Sequence, residues 1–290
     1  MCDSCFEIVF VDRQNERSVD MDERAIGVFD SGLGGLTAVR EIRKILPGET
    51  IIYFGDTARV PYGSRSKDML LKYTRQDMRF LRSFDLKAVL VACGTVSTTA
   101  LPQVRKEHDI PVLGVVEPAC RAAAKSTRNK KVGLIATAAS IRSGAYEDTL
   151  AAIDSEIQVK GKACPLFVPL VESGRVHPGD VVIETVVREY LQELKDWGAD
   201  TLILGCTHYP LLMEVIGEFM GEDVALINSG AAAAEELKHH LEEAQLTVSD
   251  REGDAWFYAS DRVQNFEELA ELFLAEKLPH GAKKIDIEQY

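Results

Sequence analysis

The chain has 290 residues, of which 46% are hydrophobic and 27% charged, and 33 basic against 46 acidic side chains give a formal net charge of −13. This is the balance of a globular protein long enough for two ordinary domains or one large one, and its acidity argues against a nucleic-acid partner, which needs clustered Lys and Arg. No apolar run reaches the roughly 18 residues of a membrane span and no basic start leads into a long apolar stretch, so no membrane partner and a cytoplasmic location are expected.

Residues 1–23 read as a disordered leader, polar after Phe10, with a lone CxxC at Cys2 and Cys5 and a second Met at position 21. The CxxC lacks the strand context or second ligand pair that a redox or metal site needs. The first predicted strand, Ala25–Asp30, runs into the loop DSGLGG, where Asp30 or Ser31 can cap the following helix, Leu36–Leu46. The loop is neither GxGxxG nor a P-loop, but its bare N–H groups suit a carboxylate. A strand at Thr50–Phe54 and a helix at Lys67–Phe84 precede the strand Ala88–Ala92, which stops at Cys93, Gly94 and Thr95. Val112–Val116 is the next predicted strand. The basic run Arg128–Lys131 is a solvated turn, and the strand Lys131–Ala136 ends at Thr137. Ala163–Val168 reads as a strand, with Glu172 just beyond it in PLVESG. The helix Asp180–Trp197 leads to the strand Thr201–Leu204, followed by Gly205, Cys206, Thr207 and His208. Val224–Ile227, the helix Ala231–Leu241 with solvated His239 and His240, and the strand Ala255–Tyr258 complete the pattern.

Strand–helix alternation predicts an α/β protein whose parallel sheets carry helices on both faces and bind ligands beyond the carboxyl ends of the strands. The chain also repeats itself. AVLVACGT in the first half resembles TLILGCTH in the second, and IGVFDSG pairs more weakly with VGLIATA. Two related halves facing each other would set Cys93 and Cys206 on opposite walls of one cleft. Cys120 and Cys164 read as small hydrophobes, the commonest fate of a buried cysteine. Cys93 and Cys206 differ, since each lies between a strand and a predicted helix N-terminus, which lowers a thiol pKa. Cys206-x-His208 lacks the further ligands of a zinc site. A thiol–imidazole–carboxylate cluster that moves protons explains the grouping better. Two thiols on opposite walls point to racemisation or epimerisation, one removing a proton from a tetrahedral carbon and the other delivering one to the opposite face.

GVFDSGLGGL, YFGDTARVPYG, VACGT, ATAASIRSGAY, PLVESG and LGCTHYPLL, spread from about Ile26 to about Ser260, together resemble the cofactor-independent glutamate racemases of the aspartate/glutamate racemase superfamily. The resemblance implies two similar parallel-sheet α/β domains related by pseudo-twofold symmetry, with the active site in the cleft between them. One domain would comprise residues 24–116 and 228–290, and the other residues 117–227. Cys93 and Cys206 match the catalytic cysteines, Asp30 the acid assisting the first, and Glu172 and His208 the pair assisting the second. Asp30, Ser31, Tyr62, Gly63, Gly94, Thr95, Thr137, Ser140, Thr207 and His208 fall at substrate-contact positions. The family uses no pyridoxal phosphate and no metal, its members are often homodimers, and its D-glutamate feeds peptidoglycan synthesis. This sequence departs from the family at Gly94, where asparagine is usual, and at Ser140, where threonine is common. A racemase for another amino acid such as aspartate, or a non-catalytic binding or regulatory relative, remains the alternative.

Overall fold

The structure is a computed structural model that describes residues 22–248 and 251–290. The expected leader, with Cys2 and Cys5, lies outside the described residues apart from Asp22 and Glu23. Among the described residues ten strands form two wholly parallel sheets. The first contains β1 (Ala25–Asp30), β2 (Ile51–Gly55), β3 (Leu86–Val91), β4 (Val112–Gly114), β9 (Ala255–Ala259) and β10 (Ala282–Lys284), in the order β10-β9-β2-β1-β3-β4. The second contains β5 (Lys131–Ala136), β6 (Gln158–Ala163), β7 (Thr201–Leu204) and β8 (Ala225–Asn228), in the order β6-β5-β7-β8. The central strands β1, β2, β3 and β7 are buried at every residue, as strands covered by helices on both faces must be.

The order β2-β1-β3-β4 is repeated as β6-β5-β7-β8. The similar stretches in the sequence therefore occupy equivalent strands: Cys93 lies just beyond β3 and Cys206 just beyond β7. Asp30 and Thr137 stand at the ends of β1 and β5, each beside the strand that leads to a cysteine. In both sheets this is the point where the strand order reverses, the place where open parallel sheets bind ligands. The chain returns to the first sheet through β9 and β10, which extend it beyond β2. The helices Leu36–Ile45 and Ser229–Glu243 pack together where Gly230 lets the backbone approach Ala38. No described helix is long and apolar enough to cross a membrane.

The elements differ from the sequence reading in three places. The expected strand Ala163–Val168 is not one: β6 ends at Ala163 and Phe167–Glu172 is a helix. The apolar run CPLFV suits a buried helix turn as well as a strand, and its periodicity cannot separate them. The true strand, QVKGKA, lies at a sheet edge and is partly exposed along its length, so it carries no apolar signal. The strand expected over Val112–Val116 stops at Gly114, and Val116 begins the helix Val116–Ser126. The edge strand β10 went unseen, being three residues long and mostly lysine.

One buried ion pair ties the amino ends of the central strands of the first sheet. Lys87 in β3 pairs with Glu49 at 2.6 Å and donates to the carbonyls of Asp22 and Leu246, while Glu49 accepts the Val248 N–H at 2.9 Å. Both side chains are essentially inaccessible to solvent. Lys87→Met leaves the Glu49 charge buried and unpaired, an expected cost of about 3–5 kcal/mol. A urea midpoint that falls accordingly, with unchanged activity per folded molecule, is the expected outcome.

Candidate active site

The carboxyl ends of the two sheets enclose a cavity of about 220 Å³. Cys93, Gly94, Thr95, Ser31, Tyr62 and Gly63 line it from the first sheet, and Thr137, Glu172, Gly205, Cys206, Thr207 and His208 from the second. Both cysteines therefore open on the same space. Two hydrogen bonds stitch the walls together: Thr95 Oγ1 lies 3.0 Å from Thr137 Oγ1, and Thr37 Oγ1 donates to the Thr207 carbonyl at 2.9 Å. Val60, Pro61 and Val168 also line the cavity, beside Gly32 of the DSGLGG loop, and escaped the sequence reading. They carry no reactive group, and only the loop position of Val60 and Pro61 gives a signal.

Two expected substrate-contact residues lie behind the lining. Asp30 is buried at the end of β1 beneath the loop, and Ser140 is fully buried, 3.1 Å from Thr137 Oγ1. Ser140 acts on the cavity through Thr137, whose hydroxyl also caps the helix Ala138–Ser143. Asp30 Oδ2 accepts the Gly32 N–H at 3.2 Å, whereas Oδ1 has no hydrogen-bond partner. Burial pushes the Asp30 carboxyl up, opposed by the His208 charge and by the N–H groups of Gly35, Gly32 and Ser31.

Cys93 stands at the N-terminus of the short helix Gly94–Thr99, and its sulfur lies 3.6 Å from Ser31 Oγ. The expected lowering of this thiol by the helix end is overturned. Burial pushes Cys93 up from 9.0 to about 12, the Asp30 charge adds to the rise, and the Val96 N–H and Ser31 hydroxyl only partly offset them. Cys206 also departs from expectation. It is followed by a 3₁₀ turn, Tyr209–Leu212, before the helix Met213–Met220, so no α-helix begins at the thiol. His208 is the polar neighbour there. Its Nε2 lies 3.0 Å from Glu172 Oε1, and its ring stands edge-on to Phe273 at 5.2 Å. Burial works against a charge on this imidazole, but the Cys206 sulfur, Glu172 and Asp30 outweigh it and push His208 up to about 10. His208, whose proton these neighbours favour, thus stands beside Cys206, while Cys93 has a buried carboxyl beside it. Glu172, at the end of a helix rather than after a strand, is half exposed and joins this pair to solvent.

Glycines set how closely the walls approach. A Cβ at Gly94 would overlap the Gly205 carbonyl oxygen, so an asparagine there would have to part the two walls rather than simply add an amide. A Cβ at Gly34 would overlap Thr207 Oγ1 and lie 2.5 Å from His208 Nδ1. Gly34→Ala is therefore expected to displace His208. Overpacking of this kind costs about 1–3 kcal/mol, and if that cost falls on site geometry kcat/KM drops about tenfold or more. Steady-state kinetics on variant protein of native circular dichroism checks it.

Comparison with known proteins gives a consistent result. Residues 34–237 match the family model described as Asp/Glu/Hydantoin racemase. The glutamate racemase of Thermoanaerobacter pseudethanolicus is 43% identical over 270 residues, 93% of this chain and all of that one. Among solved structures, a glutamate racemase isoform of Bacillus anthracis superposes with a TM-score of 0.87 at 37% identity, covering 91% of this chain and 98% of that one. The glutamate racemase of Francisella tularensis in complex with D-glutamate gives 0.85 at 37% identity, covering 93% of this chain and all of that one.

Proposed function

The chain belongs to the Asp/Glu/Hydantoin racemase family, and from that premise we propose that it is a glutamate racemase working by two-cysteine proton transfer. One observation carries the reading: Cys93 and Cys206, each just beyond the third strand of one parallel sheet, line the same cavity from opposite walls. The D-glutamate in the Francisella tularensis relative supports glutamate as the ligand.

The reaction balances on this chain's own groups. One cysteine, as thiolate, takes the proton from Cα and becomes a thiol. The electron pair left on Cα delocalises into the adjacent carboxylate. The other cysteine, as thiol, gives its proton to the opposite face of Cα and becomes a thiolate, so the two sulfurs exchange roles. Asp30 assists Cys93, and His208 with Glu172 assists Cys206, as proton reservoirs that reset the pair. The hydroxyls of Ser31, Thr95, Thr137 and Thr207, the Tyr62–Gly63 segment and the backbone at Gly94 orient the charged ends of the substrate. Preorganised donors of this kind act on charge as it develops and need no reorganisation during the reaction.

The product D-glutamate is the form that peptidoglycan synthesis consumes, which fits a cytoplasmic enzyme. We also propose a homodimer, for which exposed Val181, Val182 and Leu166 offer apolar contact surface. Light scattering gives the assembly directly. Circular dichroism of L-glutamate and L-aspartate solutions tests the activity: the signal should decay to zero with L-glutamate and persist with L-aspartate. The opposite preference would overturn the substrate.

A further inference from the structure

Behind Tyr62 lies a buried polar network that the reaction does not use. Asp56, Tyr62 and Asp77 are essentially inaccessible, and Arg59 and Gln76 nearly so. Arg59 Nε donates to Asp56 Oδ2 at 2.5 Å, Nη1 to Gln76 Oε1 at 2.6 Å and Nη2 to Asp77 Oδ1 at 2.9 Å. Its guanidinium lies 4.2 Å from the Tyr73 ring centroid. The Tyr62 hydroxyl touches both carboxyls, Asp56 Oδ2 at very short range and Asp77 Oδ2 at 3.1 Å. Ser260 Oγ donates to Asp56 Oδ1 at 2.8 Å. From outside, exposed Glu288 reaches Arg59 Nη1 at 3.5 Å, and Arg65 Nη2 donates to the Arg59 carbonyl.

The proton count of this cluster does not close with both carboxyls ionised. Each oxygen–oxygen contact needs one proton between the atoms, and the tyrosine hydroxyl has a single proton for two contacts. Asp56 takes it, because Asp56 also receives Arg59 Nε and Ser260, and three donors favour the ionised form. The Tyr62–Asp77 contact then lacks a proton unless Asp77 supplies it. The charges agree, since one guanidinium neutralises one buried carboxylate and not two.

We infer that Asp77 is a positioning residue that, as a neutral carboxylic acid, donates to the Tyr62 oxygen and so holds the Val60–Gly63 segment in place against the cavity. Burial, reinforced by the Asp56 charge and opposed by Arg59, raises the Asp77 carboxyl well above the carboxylate range, in accord with this geometry. A neutral latch keeps the segment in place without adding charge beside an anionic substrate. The consequence for KM rests on the glutamate reading above, whereas the protonation state does not.

The test has two arms. Infrared difference spectra of substrate-free protein, wild type minus Asp77→Asn at neutral pH, should show the C=O stretch of one protonated carboxyl, displaced in Tyr62→Phe. A pure carboxylate signature overturns the inference whatever the enzyme's substrate. In kinetics, Asp77→Ala should raise KM for glutamate about tenfold, the equivalent of one lost hydrogen bond at the strong end. Its kcat should change much less, and Asp77→Asn, which keeps a donor for Tyr62, should restore KM. Equal impairment in both Asp77 variants, with the wild type fully active, would mean that Asp77 works as an ion and sinks the proposal. Should Asp77→Ala fail to fold, Asp77→Asn and the spectra still decide it.

Discussion

Cys93→Ala and Cys206→Ala are each expected to abolish racemisation while leaving the fold intact. A Cα–H beside a carboxylate is a very weak acid, so the enzyme must supply a poised base and a poised acid on opposite faces. Each positioned proton-transfer group typically contributes about 10²–10⁴-fold, and no second thiol on the same wall lines the cavity among the described residues. Both cysteines are buried but make few polar contacts, so removing one sulfur leaves only a small void. The alkaline limb of stability reports the burial of Cys93, on top of the like contribution of Cys120. The folded protein holds the Cys93 proton more tightly than the unfolded chain does, with a pKa near 12 against 9.0. That stabilisation is complete below about pH 9 and is lost as pH rises towards 12. Cys93→Ala should therefore lose less stability than the wild type across that window. Near-normal turnover in both directions by either alanine variant would end the two-base account.

The second large effect is expected at the assisting groups. Asp30→Asn should slow the chemical step by about 10²-fold or more, chiefly for proton transfer at Cys93. His208→Asn should do the same at Cys206. The structural reason is separation. Asp30 is a buried carboxyl with one free oxygen below the first loop, and His208 is an imidazole held by Glu172 on the other wall. Equilibrium fixes the ratio of kcat/KM values for the two enantiomers, so the asymmetry shows in primary isotope effects measured from each. Asp30→Asn should raise the isotope effect more in one direction, and His208→Asn more in the other. Equal effects in both directions for both variants, at unchanged overall rate, would reduce these residues to packing.

What the sequence made legible follows from chemistry that leaves a local mark. Central strands such as IGVFD and TLILG are apolar runs bounded by glycine or polar residues, and they are strands because both faces are covered. The paired cysteines were readable because each closes such a run at an equivalent place in a repeated order. The edge strands were not, since QVKGKA and AKK are polar and owe their state to a neighbouring strand. The depth of the site was not readable either. Whether Asp30 and Ser140 face the cavity or lie behind it depends on packing across the seam, not on their motifs. Cys93 departs from expectation for the same reason: a helix end is visible in sequence, and the burial that outweighs it is not. The network behind Tyr62 was hidden because it joins Asp56 to Ser260 and Arg59 to Glu288 across more than two hundred residues.

The central claim, two thiols on opposite faces of one carbon, is tested most directly by incubating protonated L-glutamate with the wild-type enzyme in deuterium oxide. The samples are analysed at low conversion. Two-base transfer predicts D-glutamate carrying solvent deuterium at Cα from its first appearance, while the remaining L-glutamate keeps its hydrogen. D-Glutamate that retains the substrate hydrogen, or deuterium appearing equally in residual L-glutamate, would contradict it and point to one base serving both faces.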